Sequence, residues 1–127
     1  MKMGYFVVGT NDLSAASKFY DGLFEQTEYQ QVLATDRMIF WQGKDAESAF
    51  AVAIPFDEQP ANHGNGTMVG FGVSSNEEVK RLYSKALELG GTCEGEPNQR
   101  GPRFSAYVRD LDRNKLTFYG MSDVRNG

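Results

Sequence analysis

The sequence predicts an α+β domain of two βαβββ units, forming a curved mixed sheet with the helices on its outer face, and three observations carry that reading. Apolar residues recur at helical spacing in two separate stretches. The second stretch repeats the first 63 residues later, and flanking strand patterns keep the same offset. A segment rich in Pro, Asn and Gly, FDEQPANHGNG, lies between the copies. The chain is read as one domain, residues 1–127, with unit one at 1–56, a linker at 57–66 and unit two at 67–127.

The first unit opens with a strand over 4–10, in which Tyr5, Val7 and Gly9 alternate with Phe6 and Val8. Asp12 is the N-cap of a helix whose apolar face is Ala16, Phe19, Tyr20, Leu23 and Phe24. Three strands follow, over 28–34, 37–42 and 48–55. In the second unit a strand over 67–74 precedes a helix over 76–89. Ser75 and Glu78 supply an S-x-x-E capping box there, and Gly90-Gly91 supplies the left-handed stop. Its apolar face, Val79, Leu82, Tyr83, Ala86 and Leu87, matches the first helix position by position at the 63-residue offset. Strands over 92–96, 104–109 and 115–121 complete the unit. The offset also carries Asp12 onto Ser75, Phe6 and Val8 onto Val69 and Phe71, and Ala53 onto Leu116. One helix per unit covers one sheet face and leaves the other open and concave.

Composition narrows the function classes. With 40% hydrophobic and 13% aromatic residues, the 127-residue chain can bury a core. A net charge of -4 and a pI near 5.0 argue against a nucleic-acid partner, which would need clustered cations to replace released counterions. No apolar run approaches the ~18 residues that span a bilayer. MKMGYFVVGTND lacks the apolar core of a signal peptide, so a cytoplasmic protein without membrane contact is expected. Cys93 is the single cysteine, which rules out an internal disulfide. P-loop, dinucleotide, Ser-His-Asp and CxxC signatures are all missing.

Two stretches carry a resemblance. GTNDLSAASKFYDGLF resembles the first strand and helix of the glyoxalase, bleomycin-resistance and extradiol-dioxygenase superfamily, the vicinal oxygen chelate proteins, whose usual text is close to V-x-D-L-x-x-S-x-x-F-Y. AYVRDLDRNKLTFY resembles that family's terminal R-D-P-D-G-N-x-I-E strand. Metal enzymes of the family place ligands, usually His or Gln and Glu, on the first and last strands of each unit. The resemblance transfers those places to Tyr5, Ile54, Met68 and Thr117. Ile has no donor atom, a thioether prefers soft metals, and a neutral Tyr or Thr does not replace imidazole or carboxylate. No cofactor is therefore expected, a divalent metal being the alternative. Arg113 stands where the family usually has Gly. If that turn needs positive φ, the substitution strains it by roughly 1 kcal/mol.

Strand alternation from these positions selects the residues of the concave side. Tyr5, Met68, Thr117 and Tyr119, with Trp41 and Tyr107 as walls, read either as an aromatic site for a flat or apolar small molecule or as side chains that fill the concavity or a dimer interface. Gly70 and Gly72 leave room beside them. Arg100 and Arg103 sit in the loop PNQRGPRF, where guanidinium groups hold carboxylate or phosphate unless they are merely solvated. His63 is the only histidine and the weak candidate for a general base, in the linker and with no partner visible in the sequence. Cys93 reads as a small buried hydrophobe. Asp110 and Asp112 read as turn residues that bond local backbone.

The expected function is a glyoxalase/bleomycin-resistance-like protein that binds a small molecule in its concave cleft without the family's metal, and that forms a homodimer. The alternatives are a lyase, isomerase or dioxygenase-type enzyme using other residues, and a dimeric interaction domain with a closed concavity.

Overall fold

The structure, a computed structural model, describes residues 1–121. Residues 122–127, the end of the second predicted unit, lie outside the described residues. The chain divides into two compact units, one ending at His63 and the other starting at Gly64. The first contains β1 (Tyr5–Gly9), α1 (Leu13–Phe24), β2 (Tyr29–Ala34), β3 (Met38–Gly43) and β4 (Ala49–Ala53). The second contains β5 (Val69–Val73), α2 (Asn76–Glu88), β6 (Thr92–Arg100), β7 (Arg103–Arg109) and β8 (Lys115–Gly120). Each unit builds a four-stranded mixed sheet, in the orders β1-β4-β3-β2 and β5-β8-β7-β6. The outer pairs β1/β4 and β5/β8 are parallel, and the other pairings are antiparallel. Both units are thus βαβββ. No helix among the described residues is long and apolar enough to cross a membrane.

In the first unit, the Asp12 carboxylate accepts from the Ala15 amide at 3.0 Å and starts α1. The helix buries Ala16, Phe19, Tyr20, Leu23 and Phe24, the face that the spacing predicts. Tyr20 stands 4.7 Å from Phe50 and 5.6 Å from Trp41, centroid to centroid, so the core under α1 is largely aromatic.

Trp41 is a correction. It is 1% exposed, and its indole Nε1 donates to Asp21 Oδ1 of α1 at 2.8 Å. Trp41 pairs with Phe50 while Phe40 pairs with Ala51. Trp41 therefore lies beneath the helix, and Phe40 takes the wall position on the opposite face. In MIFWQG both alternating sets are apolar, so period two alone does not assign the faces.

In the second unit, Ser75 Oγ accepts from the Glu78 amide at 3.1 Å. The capping box is only half used, because the Glu78 carboxylate turns to Arg81 at 2.8 and 2.6 Å instead. Gly90 ends the helix with φ 105, a conformation open to glycine without strain. Val79, Leu82 and Ala86 are buried, as are Val108, Leu116 and Phe118 of the sheet beneath. β6 extends to Arg100 rather than stopping at residue 96, and it absorbs two register shifts. Arg100 and Arg103 then face each other across Gly101 and Pro102. Gly101, at φ 59, is the positive-φ residue that a two-residue type II′ hairpin needs in first place.

The repeat also needs correction. The 63-residue offset holds for β1 and α1, but Val7 pairs with Ala51 where Gly70 pairs with Thr117. The counterpart of Thr117 is Ala51, not Ile54, which lies beyond β4, and the counterpart of Leu116 is Phe50, not Ala53. β6 is longer than β2, so the later strands slip relative to the earlier elements.

Candidate functional site

The face of the second sheet turned away from α2 gathers most of the expected site residues. Period-two alternation puts Lys115, Thr117 and Tyr119 of β8 on it. Gly70 and Gly72 flank them on β5, and Arg109, Tyr107 and Ser105 flank them on β7. On β6, Gly95 lies opposite Tyr107 and Arg100 opposite Arg103.

Cations cover the two tyrosines. The Arg103 guanidinium is 4.5 Å from the Tyr119 ring centroid, and Arg100 and Lys115 are each 5.2 Å from that of Tyr107. Gly95 makes this possible, since a Cβ there would stand 3.1 Å from Arg100 Nη2 and 3.0 Å from Tyr107 Cδ2. Arg100 folds back along the face and donates to the Ser105 and Glu96 carbonyls. Arg109 is neutralised by Glu94 at 3.1 Å. Among the described residues, Arg100, Arg103 and Lys115 have no carboxylate partner.

Thr117 is 6% exposed, and its Oγ1 donates to the Ala106 carbonyl at 2.9 Å. It serves as a closed floor with its proton already engaged. The space expected over the two glycines is partly filled: a Cβ on Gly72 would meet Met121 Cγ at 2.8 Å and Tyr119 Cζ at 3.0 Å, and one on Gly70 would meet Thr117 Cγ2 at 3.3 Å. Met68 is exposed just before β5.

The remaining candidates lie elsewhere. Tyr5 is 59% exposed on β1 of the first unit, with its ring edge-on to Phe40 at 5.3 Å. His63 closes the first unit outside any strand or helix. Cys93 is exposed, not a buried hydrophobe, because β6 is the edge of its sheet. It bonds the Tyr83 phenol, which this hydrogen bond, with burial, pushes up to about 12. Asp110 is a turn residue as expected: it is buried, its Oδ1 accepts from the amides of Asp112 and Asn114, and its Oδ2 accepts from the Asn114 side chain. The turn carries Arg113 at φ 69, so the positive φ is real.

The family's metal does not fit this donor set. Ala51, which register puts in place of Ile54, also lacks a donor, and the Thr117 hydroxyl proton is committed to Ala106. Among the described residues, no three His, Cys, Asp or Glu side chains gather as a metal would need.

Lys115 completes the cationic rim and is absent from the expected ligand set, although the alternation that selects Thr117 and Tyr119 also selects it. Phe40 carries no such signal, for the reason that misplaces Trp41.

Comparison with known proteins places this arrangement. A glyoxalase/bleomycin resistance protein from Albidiferax ferrireducens is 32% identical and superposes with a TM-score of 0.85 over 93% of this chain and 97% of its own. The chain belongs to the glyoxalase/bleomycin resistance protein superfamily. A glyoxalase-related enzyme from Fulvimarina pelagi (19% identity, TM-score 0.80, 96% of this chain and 89% of its own) shares the fold. So does lactoylglutathione lyase from Agrobacterium tumefaciens (18% identity, TM-score 0.69, 94% and 93%). No family model and no curated protein matches the sequence.

Proposed function

We propose that the protein binds a small molecule on the open face of the β5–β8 sheet and does so without the family's metal. The observation that carries this reading is the pair of tyrosines on that face, each under a cation, beside positions where the family's ligands are replaced by Met68 and Thr117. Aromatic rings that keep a cation over them present large, rigid contact surface to a flat ligand at small entropic cost. Metal analysis combined with ligand-induced melting shifts tests it. A shift in chelator-treated protein supports the proposal. A tightly held metal that chelation removes together with the shift overturns it.

The same reading includes a homodimer. β1 is a sheet edge on which Tyr5 and Val7 are 59% and 46% exposed, and an uncovered apolar edge favours pairing with another chain. Light scattering at micromolar concentration gives twice the chain mass if this holds, and the mass of a single chain if it does not.

A further inference from the structure

We propose that the ligand of the β5–β8 face is an organic oxyanion, a carboxylate or phosphate carried on a planar ring; this rests on the small-molecule reading above. Gly101 and Pro102 fix the register so that Arg100 and Arg103 are directly opposed. Like charges at opposed positions destabilise a strand pair. Lys115 adds a third cation, sharing the Tyr107 ring with Arg100.

A chain of net charge -4 has acidic side chains enough to neutralise three cations, and it does so at Arg109 through Glu94. On this face it leaves Arg100, Arg103 and Lys115 without a carboxylate among the described residues. The charge is thus concentrated where α2 does not cover the sheet, and it remains available to an external anion. Arg100 has spent donors on the Ser105 and Glu96 carbonyls, so Arg103 and Lys115 are the principal counter-charges. A guanidinium presents two parallel donors to carboxylate or phosphate, and an ammonium adds a point charge. The ring of the ligand then lies beside the half-buried rings of Tyr107 and Tyr119 and against the exposed Gly70.

Calorimetric titration with benzoate, phenyl phosphate, benzyl alcohol and benzylamine separates the contributions. Benzoate or phenyl phosphate is expected to bind about tenfold or more tightly than benzyl alcohol, the size of a charge-assisted hydrogen bond. The stronger of the two anions identifies the headgroup. R103Q and K115Q each reduce that affinity by about tenfold, whereas K80Q, a cation over Phe104 on α2, leaves it unchanged. Equal binding of benzyl alcohol or benzylamine, anion affinity unaltered in both R103Q and K115Q, or no binding by any probe overturns the proposal. If benzyl alcohol binds equally and Y107A removes it, the small-molecule reading stands and only the anion class falls. If benzoate binds only before chelation, the metal-free reading falls and the anion class stands.

Discussion

The two units share one topology and differ where their open faces lie. β4 carries Ala49, Ala51 and Ala53 on the face turned away from its helix; β8 carries Lys115, Thr117 and Tyr119 in the same register. Phe40 of the first unit answers to Tyr107 of the second, and Val7 to Gly70. At each position the second unit has gained a polar group or lost side-chain volume. The helix sides differ in the opposite sense. α1 covers Trp41 and Phe50 with Tyr20 and Phe24, while the small, mostly aliphatic α2 face of Val79, Leu82 and Ala86 covers Val108, Leu116 and Phe118. One duplicated frame thus carries an aromatic core in one half and a polar, cation-bearing sheet face in the other.

The largest effect expected from this contrast is on the first core. Trp41→Ala removes a fully buried ring together with its bond to Asp21, and should lower stability by about 3–5 kcal/mol. Urea unfolding measures it, and a loss under 1 kcal/mol would deny that the aromatic cluster dominates the first unit. Asp110→Ala should follow at about 2–3 kcal/mol, because it leaves the Asp112 and Asn114 amides without their acceptor at the turn that feeds β8. An unchanged midpoint would show the turn to be dispensable for presenting Lys115 and Thr117.

Arg113→Gly works in the opposite direction. Arg113 holds φ 69, and glycine relieves that strain at the cost of a freer unfolded chain, for a net gain of up to about 1 kcal/mol. Among the described residues its side chain makes no ion pair, and the bond from Arg109 goes to the Arg113 backbone carbonyl, which glycine keeps. A destabilised variant would contradict this. The smallest effect is at the α2 cap. The bond from Arg81 holds the Glu78 carboxyl below its ordinary value of 4.5. A lowered folded-state value stabilises above the unfolded pKa and loses that contribution as pH falls through the folded one. Glu78→Gln should therefore cost about 0.5 kcal/mol at neutral pH, the pair being partly solvated, and almost nothing once the wild-type carboxyl is protonated. An equal cost at both pH values would mean that the Arg81 pair contributes nothing.

The element order was legible because the caps and helix periods are strong: Asp12, Ser75 and Gly90 bound both helices as read. The slip between β4 and β8 was not, because Ala53 and Leu116 are both apolar and match at either offset. Trp41 was misplaced through an ambiguous strand, whereas Tyr107, Thr117 and Tyr119 fell on one face because polar and apolar residues alternate around them. The tyrosine–cation stacking depends on the β6 bulges and the Gly95 gap, and irregular register leaves no period to read.

The claim that the second unit alone carries recognition is tested most directly by giving β8 the alanines of β4. Chelator-treated wild-type protein and the triple variant K115A/T117A/Y119A are titrated with benzoate in a calorimeter, with circular dichroism confirming that both are folded. The account predicts saturable binding to the metal-free wild type and its loss in the folded variant. Wild-type affinity in the triple variant, or no binding by the wild type until a divalent metal is restored, would contradict it.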